Sequence, residues 1–144
     1  MRIERWLMWC GLVVAVSGCQ VRSQQVVDSA DATLQARNLA GGWTRSFEEE
    51  TPESGIEIYR PTASRDFPAT WFRMRYELHE DGTCEWLVLD PADAHFMAQG
   101  RWVPDPADDA VIRVYDSQGV PVEEASFRIV ELTPDVLRIT RASN

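Results

Sequence analysis

Few side chains here have the type and spacing to do chemistry, and Cys19 is the most suggestive of them. Val16, Ser17 and Gly18 precede it, one aliphatic residue and two small ones before a thiol. Small side chains admit a peptidase to the Gly18–Cys19 bond, and the thiol is a nucleophile able to accept an acyl-bearing group. Of the other two cysteines, Cys10 lies upstream of that bond and Cys84 far downstream. A chain cut before Cys19 and modified on it has no pair left for an internal disulfide, even in an oxidising compartment. Cys84 then reads as a small buried hydrophobe.

The flanks of Cys19 fit the same reading. Arg2 and Arg5 open the chain, diluted by Glu4, and the apolar run 6–16 is too short to span a bilayer as a helix. The whole segment resembles the bacterial lipobox. That resemblance implies a lipoprotein signal peptide over residues 1–18, cut between Gly18 and Cys19. Cys19 would become a diacylglyceryl cysteine, further acylated with a chain such as palmitate, and several chains anchor far more firmly than one. Gln20 after the cysteine, by likeness to enteric lipoprotein sorting, implies the outer membrane of a cell envelope, facing the periplasm.

The remaining candidates for chemistry are thin. Asp90-Pro-Ala-Asp93 and Asp105-Pro-Ala-Asp108 repeat a tetrapeptide with oxygen ligands of the kind calcium prefers. Asp-Pro followed by an acid is equally a way to open a turn, and consecutive connections of a meander lie at opposite ends, which keeps the copies apart. His79 and His95 are the only histidines, with no Cys or His pair at zinc spacing. No phosphate-binding glycine loop, dinucleotide fingerprint or nucleophile elbow occurs. The expectation is a non-enzymatic protein with no metal and no cofactor.

Charge narrows the partners. The chain carries −9 overall, and loss of Arg2, Arg5 and Glu4 with the signal takes this to −10. Such a surface repels nucleic acid and anionic headgroups. Every basic residue is Arg. The 126 residues from Cys19 onward suffice for one domain with a real core, expected as a monomer.

The elements that must position these groups are strands. Residues 19–40 read as a lipidated N-terminus and linker, with a short helix over 26–39 as one option. From Gly41 the apolar period becomes two. In 71–79, Phe72, Met74, Tyr76 and Leu78 face one way, and Arg73, Arg75, Glu77 and His79 the other. Glu80-Asp81-Gly82 supplies a turn and 83–89 the partner strand. Further strands are expected at 43–47, 56–60, 95–103, 110–115, 122–132 and 136–141. Eight strands with short connections predict an all-β domain over 41–144, an antiparallel up-and-down barrel whose closure removes exposed edges.

Gly41-Gly42-Trp43 at the head of the first strand, with Arg141 (or Arg138) near the end of the last, resembles the lipocalins and their small calycin relatives. The likeness implies that Trp43 crosses the closed base of the barrel beneath an arginine, a guanidinium over an indole contributing roughly 0.5–2 kcal/mol. It also implies that alternate connections share one end. Those near 48–55, 80–82, 104–109 and 133–135 would form an acidic mouth without arginine, and those near 61–69, 90–94 and 116–121 the base. The chain reaches Asn144 without room for the helix that follows the lipocalin barrel, so a reduced barrel is expected.

Two uses remain open for the aromatics Phe72, Tyr76, Trp86, Phe96, Trp102 and Phe127: lining a pocket or filling the interior. The long connection 61–69 reads either as a plug across the base or as a contact surface. The functional expectation is a membrane-tethered binding module for a small apolar ligand, neutral or cationic, or for an envelope partner. The alternative is a solid barrel acting structurally or as an inhibitor through loop contacts with another protein.

Overall fold

Period-two burial is the rule that builds this domain, seen in a computed structural model that describes residues 38–92 and 94–141. Gly18, Cys19, the signal segment and nearly all of the linker lie outside the described residues. The eight strands are β1 (Gly41–Arg45), β2 (Glu57–Pro61), β3 (Arg75–Leu78), β4 (Thr83–Leu89), β5 (His95–Asp105), β6 (Asp108–Asp116), β7 (Phe127–Thr133) and β8 (Val136–Arg141). They close into one barrel in which every neighbour is antiparallel, in the order β1-β2-β8-β7-β6-β5-β4-β3. The up-and-down barrel expected from the sequence is thus what forms.

Alternation decides which residues meet inside. Trp43 stands opposite Tyr76, Tyr76 opposite Trp86 and Trp86 opposite Ala98, four neighbours across four strands. Ile112 stands opposite Phe127, and Leu137 opposite Tyr59. These, apart from the partly buried Ala98 packed against them, join Leu78, Cys84, Trp102, Val114 and Ile139 in one buried cluster. Truncating a core aromatic of this kind to Ala costs ~3–5 kcal/mol.

Two glycines are needed for backbone reasons. Gly41 opens β1 at φ +141°, a region side chains disfavour. Gly100 sits where β5 presses against β6: a Cβ there would run into the Tyr115 carbonyl and approach Trp86 Cζ3 to 3.0 Å.

Two expected strands are shortened. Residues 71–74 hold the predicted inside–outside alternation, but the ladder of β3 begins only at Arg75. Residues 122–126 form a short turn of 3₁₀ helix (Glu123–Ala125) instead of strand. There the Ser126 hydroxyl accepts the Val114 amide (3.0 Å) and donates to the Val122 carbonyl (2.8 Å), replacing ladder bonds.

One pairing corrects the expected sorting of loops. β1 lies between β2 and β3, so β2 and β3 run the same way and residues 62–74 must climb the barrel from one end to the other. This crossover runs over the outer face of β1. The Thr62 amide donates to the Gly42 carbonyl (2.8 Å), Thr62 and Thr44 share a hydroxyl hydrogen bond (2.9 Å), and Arg65 reaches the Ser46 hydroxyl. Thr44 and Ser46, polar and outward-facing, are buried for that reason. The long connection is therefore a strap over β1.

The ends of the barrel follow from strand direction. Residues 46–56, 90–92, 117–126 and the start of β3 belong to one end, with Arg141. Residues 79–82, 106–107, 134–135 and the entry at 38–40 belong to the other. The ten acids assigned to a single mouth are split between the two ends. Those at 48–50 are also paired with arginine: Glu48 with Arg73 (2.7 Å), Glu49 with Arg60 (2.7 Å) and Arg65 (3.0 Å), and Glu50 with Arg45 (2.8 Å). The two Asp-Pro-Ala-Asp segments fall at opposite ends. Asp90 and Asp105 each accept the amide two residues on (2.8 Å), so both open turns.

Candidate functional site

The base is plugged by Leu39, with a pocket of about 460 Å³ beside the plug lined by Ala40, Trp43, Pro61 and Leu132, and the far end is open. At the base Leu39 is fully buried, and Trp43 Nε1 donates to the Leu39 carbonyl at 2.9 Å. At the mouth a pocket of about 620 Å³ is lined by Arg45, Phe72, Met74, Trp86, Val88, Glu123, Glu124 and Arg141, with Leu87 and Leu89 on its β4 wall. β4 supplies Trp86 and Val88, the stretch leading into β3 supplies Phe72 and Met74, and β1 and β8 end in the two arginines.

Beneath the pocket lies a charged layer that the barrel interior would not tolerate unpaired. Glu57, inward on β2, takes the Arg141 guanidinium in a fork (2.9 and 2.6 Å) and stands 3.2 Å from Arg45 Nη1. Arg45 forks onto Glu50 in turn (2.8 and 2.9 Å). The Tyr59 hydroxyl donates to Glu57 (2.8 Å), and Tyr76 donates to the Ala125 carbonyl (3.2 Å) while accepting from Arg141 (3.0 Å). No buried side-chain polar atom among the described residues lacks a partner.

Burial pushes the Tyr76 hydroxyl up to about 12 and Tyr59 well above its ordinary value, so both stay neutral donors. Burial pulls Arg141 down, but Tyr76, Tyr59 and Glu57 outweigh it and the net shift is upward. The layer is locked in charge: two guanidiniums matched by two carboxylates.

The rim differs. Glu123 and Glu124 are exposed on the 3₁₀ turn, and neither carboxylate forms an ion pair among the described residues. Their backbone is fixed, because the Glu124 carbonyl accepts from Arg141 Nη1 (2.7 Å). Around the same end, apolar side chains stay exposed: Trp71 at 65%, Phe96 at 48% and Val120 at 53%. Trp71 and Phe72 both pack on the His95 ring, at 5.9 and 5.8 Å between centroids.

The structure divides the six aromatics singled out from the sequence. Phe72 and Trp86 line the pocket. Tyr76, Trp102 and Phe127 fill the core below it, with Trp102 Nε1 donating to the His79 carbonyl (3.0 Å). Phe96 is exposed near the mouth and outside the pocket. The signature residues separate as well. Gly41 and Trp43 are at the base, whereas Arg141 is at the mouth on Glu57 and the tyrosines. The arginine-over-indole contact is replaced, because β8 ends at the pole opposite Trp43.

Arg45, Glu57, Met74, Val88, Glu123 and Glu124 are pocket or layer residues not singled out in the sequence. Four carried a signal: Arg45 shares the inward parity of Trp43, Glu57 that of Tyr59 and Val88 that of Trp86, and Met74 lies on the inward face of 71–79.

Cys84 is buried, and its thiol is pushed up to about 12 by that burial, with the charge of Glu85 adding to it; an activated thiolate needs the opposite. Among the described residues, no three of His, Cys, Asp and Glu gather as a metal site, and no helix is long and apolar enough to cross a membrane. No family model, curated protein or solved structure matches this chain. The class that fold and site define is a closed eight-stranded barrel with an apolar-walled pocket at the end opposite the chain's entry.

Proposed function

We propose that this chain is an envelope lipoprotein, tethered through Cys19, whose lipocalin-like barrel binds a small apolar ligand, neutral or cationic, in the mouth pocket without chemical conversion. The observation that carries the reading is the 620 Å³ pocket walled by Phe72, Met74, Trp86 and Val88 above a charged layer that is already satisfied. A volume in the few-hundred-Å³ range with a mostly apolar wall suits a small molecule. The matched layer offers no unpaired guanidinium to an anion. The chain enters at the base, so an anchor upstream leaves the mouth free to face away from the membrane.

A calorimetric titration with straight-chain alcohols tests the pocket. Affinity rises by ~0.8 kcal/mol per added methylene until the wall is covered, and Met74→Trp, which fills the space, removes binding while the barrel stays folded. Binding that ignores chain length and survives Met74→Trp would place the ligand elsewhere.

The second reading is a barrel acting through protein contacts, and the exposed Trp71, Phe96 and Val120 favour it. Alanine at all three would then abolish capture of the partner while leaving alcohol binding in place.

A further inference from the structure

The mouth pocket has a preferred sign of charge, and the pairing of its ionised groups decides which. Arg45 and Arg141 look at first like an anion site. Yet Arg141 commits Nε, Nη1 and Nη2 to Glu57, Tyr76, Tyr59 and the Glu124 carbonyl. Arg45 is forked onto Glu50 and faces Glu57 as well. Two positive charges are thereby cancelled by two negative ones within the layer. Glu123 and Glu124 remain on the pocket wall with no ion pair among the described residues; Arg113, whose charge acts on Glu123 from outside the pocket lining, is itself paired with Asp105 (2.8 Å), so the lining with its supporting carboxylates keeps an excess of two negative charges. The backbone of the turn is pinned by Arg141 and Ser126, so these carboxylates cannot drift far from the opening. The Phe72 and Trp86 rings line the same pocket, and an aromatic ring attracts a cation more strongly than an alcohol.

We infer that the pocket takes an organic cation: an alkylated ammonium group between the Glu123–Glu124 turn and the Phe72 and Trp86 rings, its apolar remainder against Met74 and Val88. An alkylated ammonium fits better than a bare one, because its hydration is weak and it gives up little water to enter an apolar wall. The inference rests on the pocket reading above and adds the charge and placement of the head.

The test uses the full chain in phosphatidylcholine nanodiscs, with empty nanodiscs as the partition control, titrated calorimetrically with three probes that share a phenethyl body and differ in the head group. These are phenethyltrimethylammonium, 3-phenylpropanol and 3-phenylpropionate. The expected order is ammonium, then alcohol, then carboxylate, with about tenfold between the first two, equivalent to ~1.4 kcal/mol. In the Glu123→Gln/Glu124→Gln variant, checked for its fold by near-ultraviolet circular dichroism, the ratio of ammonium to alcohol affinity falls towards one. Raised salt shrinks the same ratio in the native chain, since the rim charges are exposed. Equal binding of all three probes, or tighter binding of the carboxylate, overturns the cation inference and leaves the pocket reading standing. Binding of none overturns both.

Discussion

Arg141 is the residue on which most of the mouth depends. It reaches Glu57, Tyr59, Tyr76 and the Glu124 carbonyl, so its loss strands a half-buried carboxylate and frees the rim turn at once. Arg141→Ala should cost about 1–3 kcal/mol, below the ~3–5 kcal/mol of a fully buried pair because the guanidinium is partly exposed. Urea denaturation of Arg141→Ala, Glu57→Gln and the double variant measures it, and the two losses should be strongly non-additive. At Cys84, a thiol held near 12 should resist iodoacetamide at pH 8 in the native barrel and label at the rate of global unfolding. Fast labelling without denaturant would contradict its burial. Arg141 and Trp43 were legible in the sequence as special positions. Their partners were not, because the contact between a strand's last residue and another strand depends on which strand is next to which.

At the scale of elements, the strap over β1 is the feature that alternation alone does not give. The pattern that marks β3 says which face is inward but not that β1 intervenes between β2 and β3, so a strictly sequential meander was the simplest reading and the loop ends were sorted wrongly. The strap and the 46–56 connection are fastened by a ladder in which guanidiniums and rings alternate. Arg45 and Arg73 flank Phe47 (4.6 and 5.2 Å), and Arg73 and Arg65 flank Phe67 (5.5 and 5.1 Å). Glu48 and Glu49 complete it. Their carboxyls are lowered from the usual 4.5 to about 2, Glu48 chiefly by its hydrogen bonds from Arg73 and Glu49 by those from Arg60.

A depressed folded value means that these pairs stabilise fully above the unfolded value near 4.5 and lose that contribution as pH falls towards 2. The urea midpoint should therefore drop between pH 5 and 2, and drop less in Glu48→Gln/Glu49→Gln. An equal acid response in both chains would show that the strap is not held by these charges. Gly100→Ala should destabilise by about 1–3 kcal/mol, as overpacking against the Tyr115 carbonyl demands.

For the whole molecule, the polarity of the barrel matters most. One pole is sealed by Leu39 and Trp43, and the other opens into the pocket, with a paired ionic layer between core and cavity. The eight strands were readable because half-buried strands print their period in the chain. The coexistence of a filled core and an open mouth was not, since five of the six aromatics are divided between core and pocket by height along the barrel alone, and Phe96 belongs to neither. The proposed tether at Cys19 has its own check: labelled palmitate should enter the wild-type chain and be lost in Cys19→Ala, whereas equal labelling of both would remove the tether.

The central claim is that the mouth holds a small apolar molecule, and native mass spectrometry of the purified chain tests it most directly. The wild type should carry a small-molecule adduct that Met74→Trp lacks. Identical bare masses for the two would contradict a ligand-filled mouth.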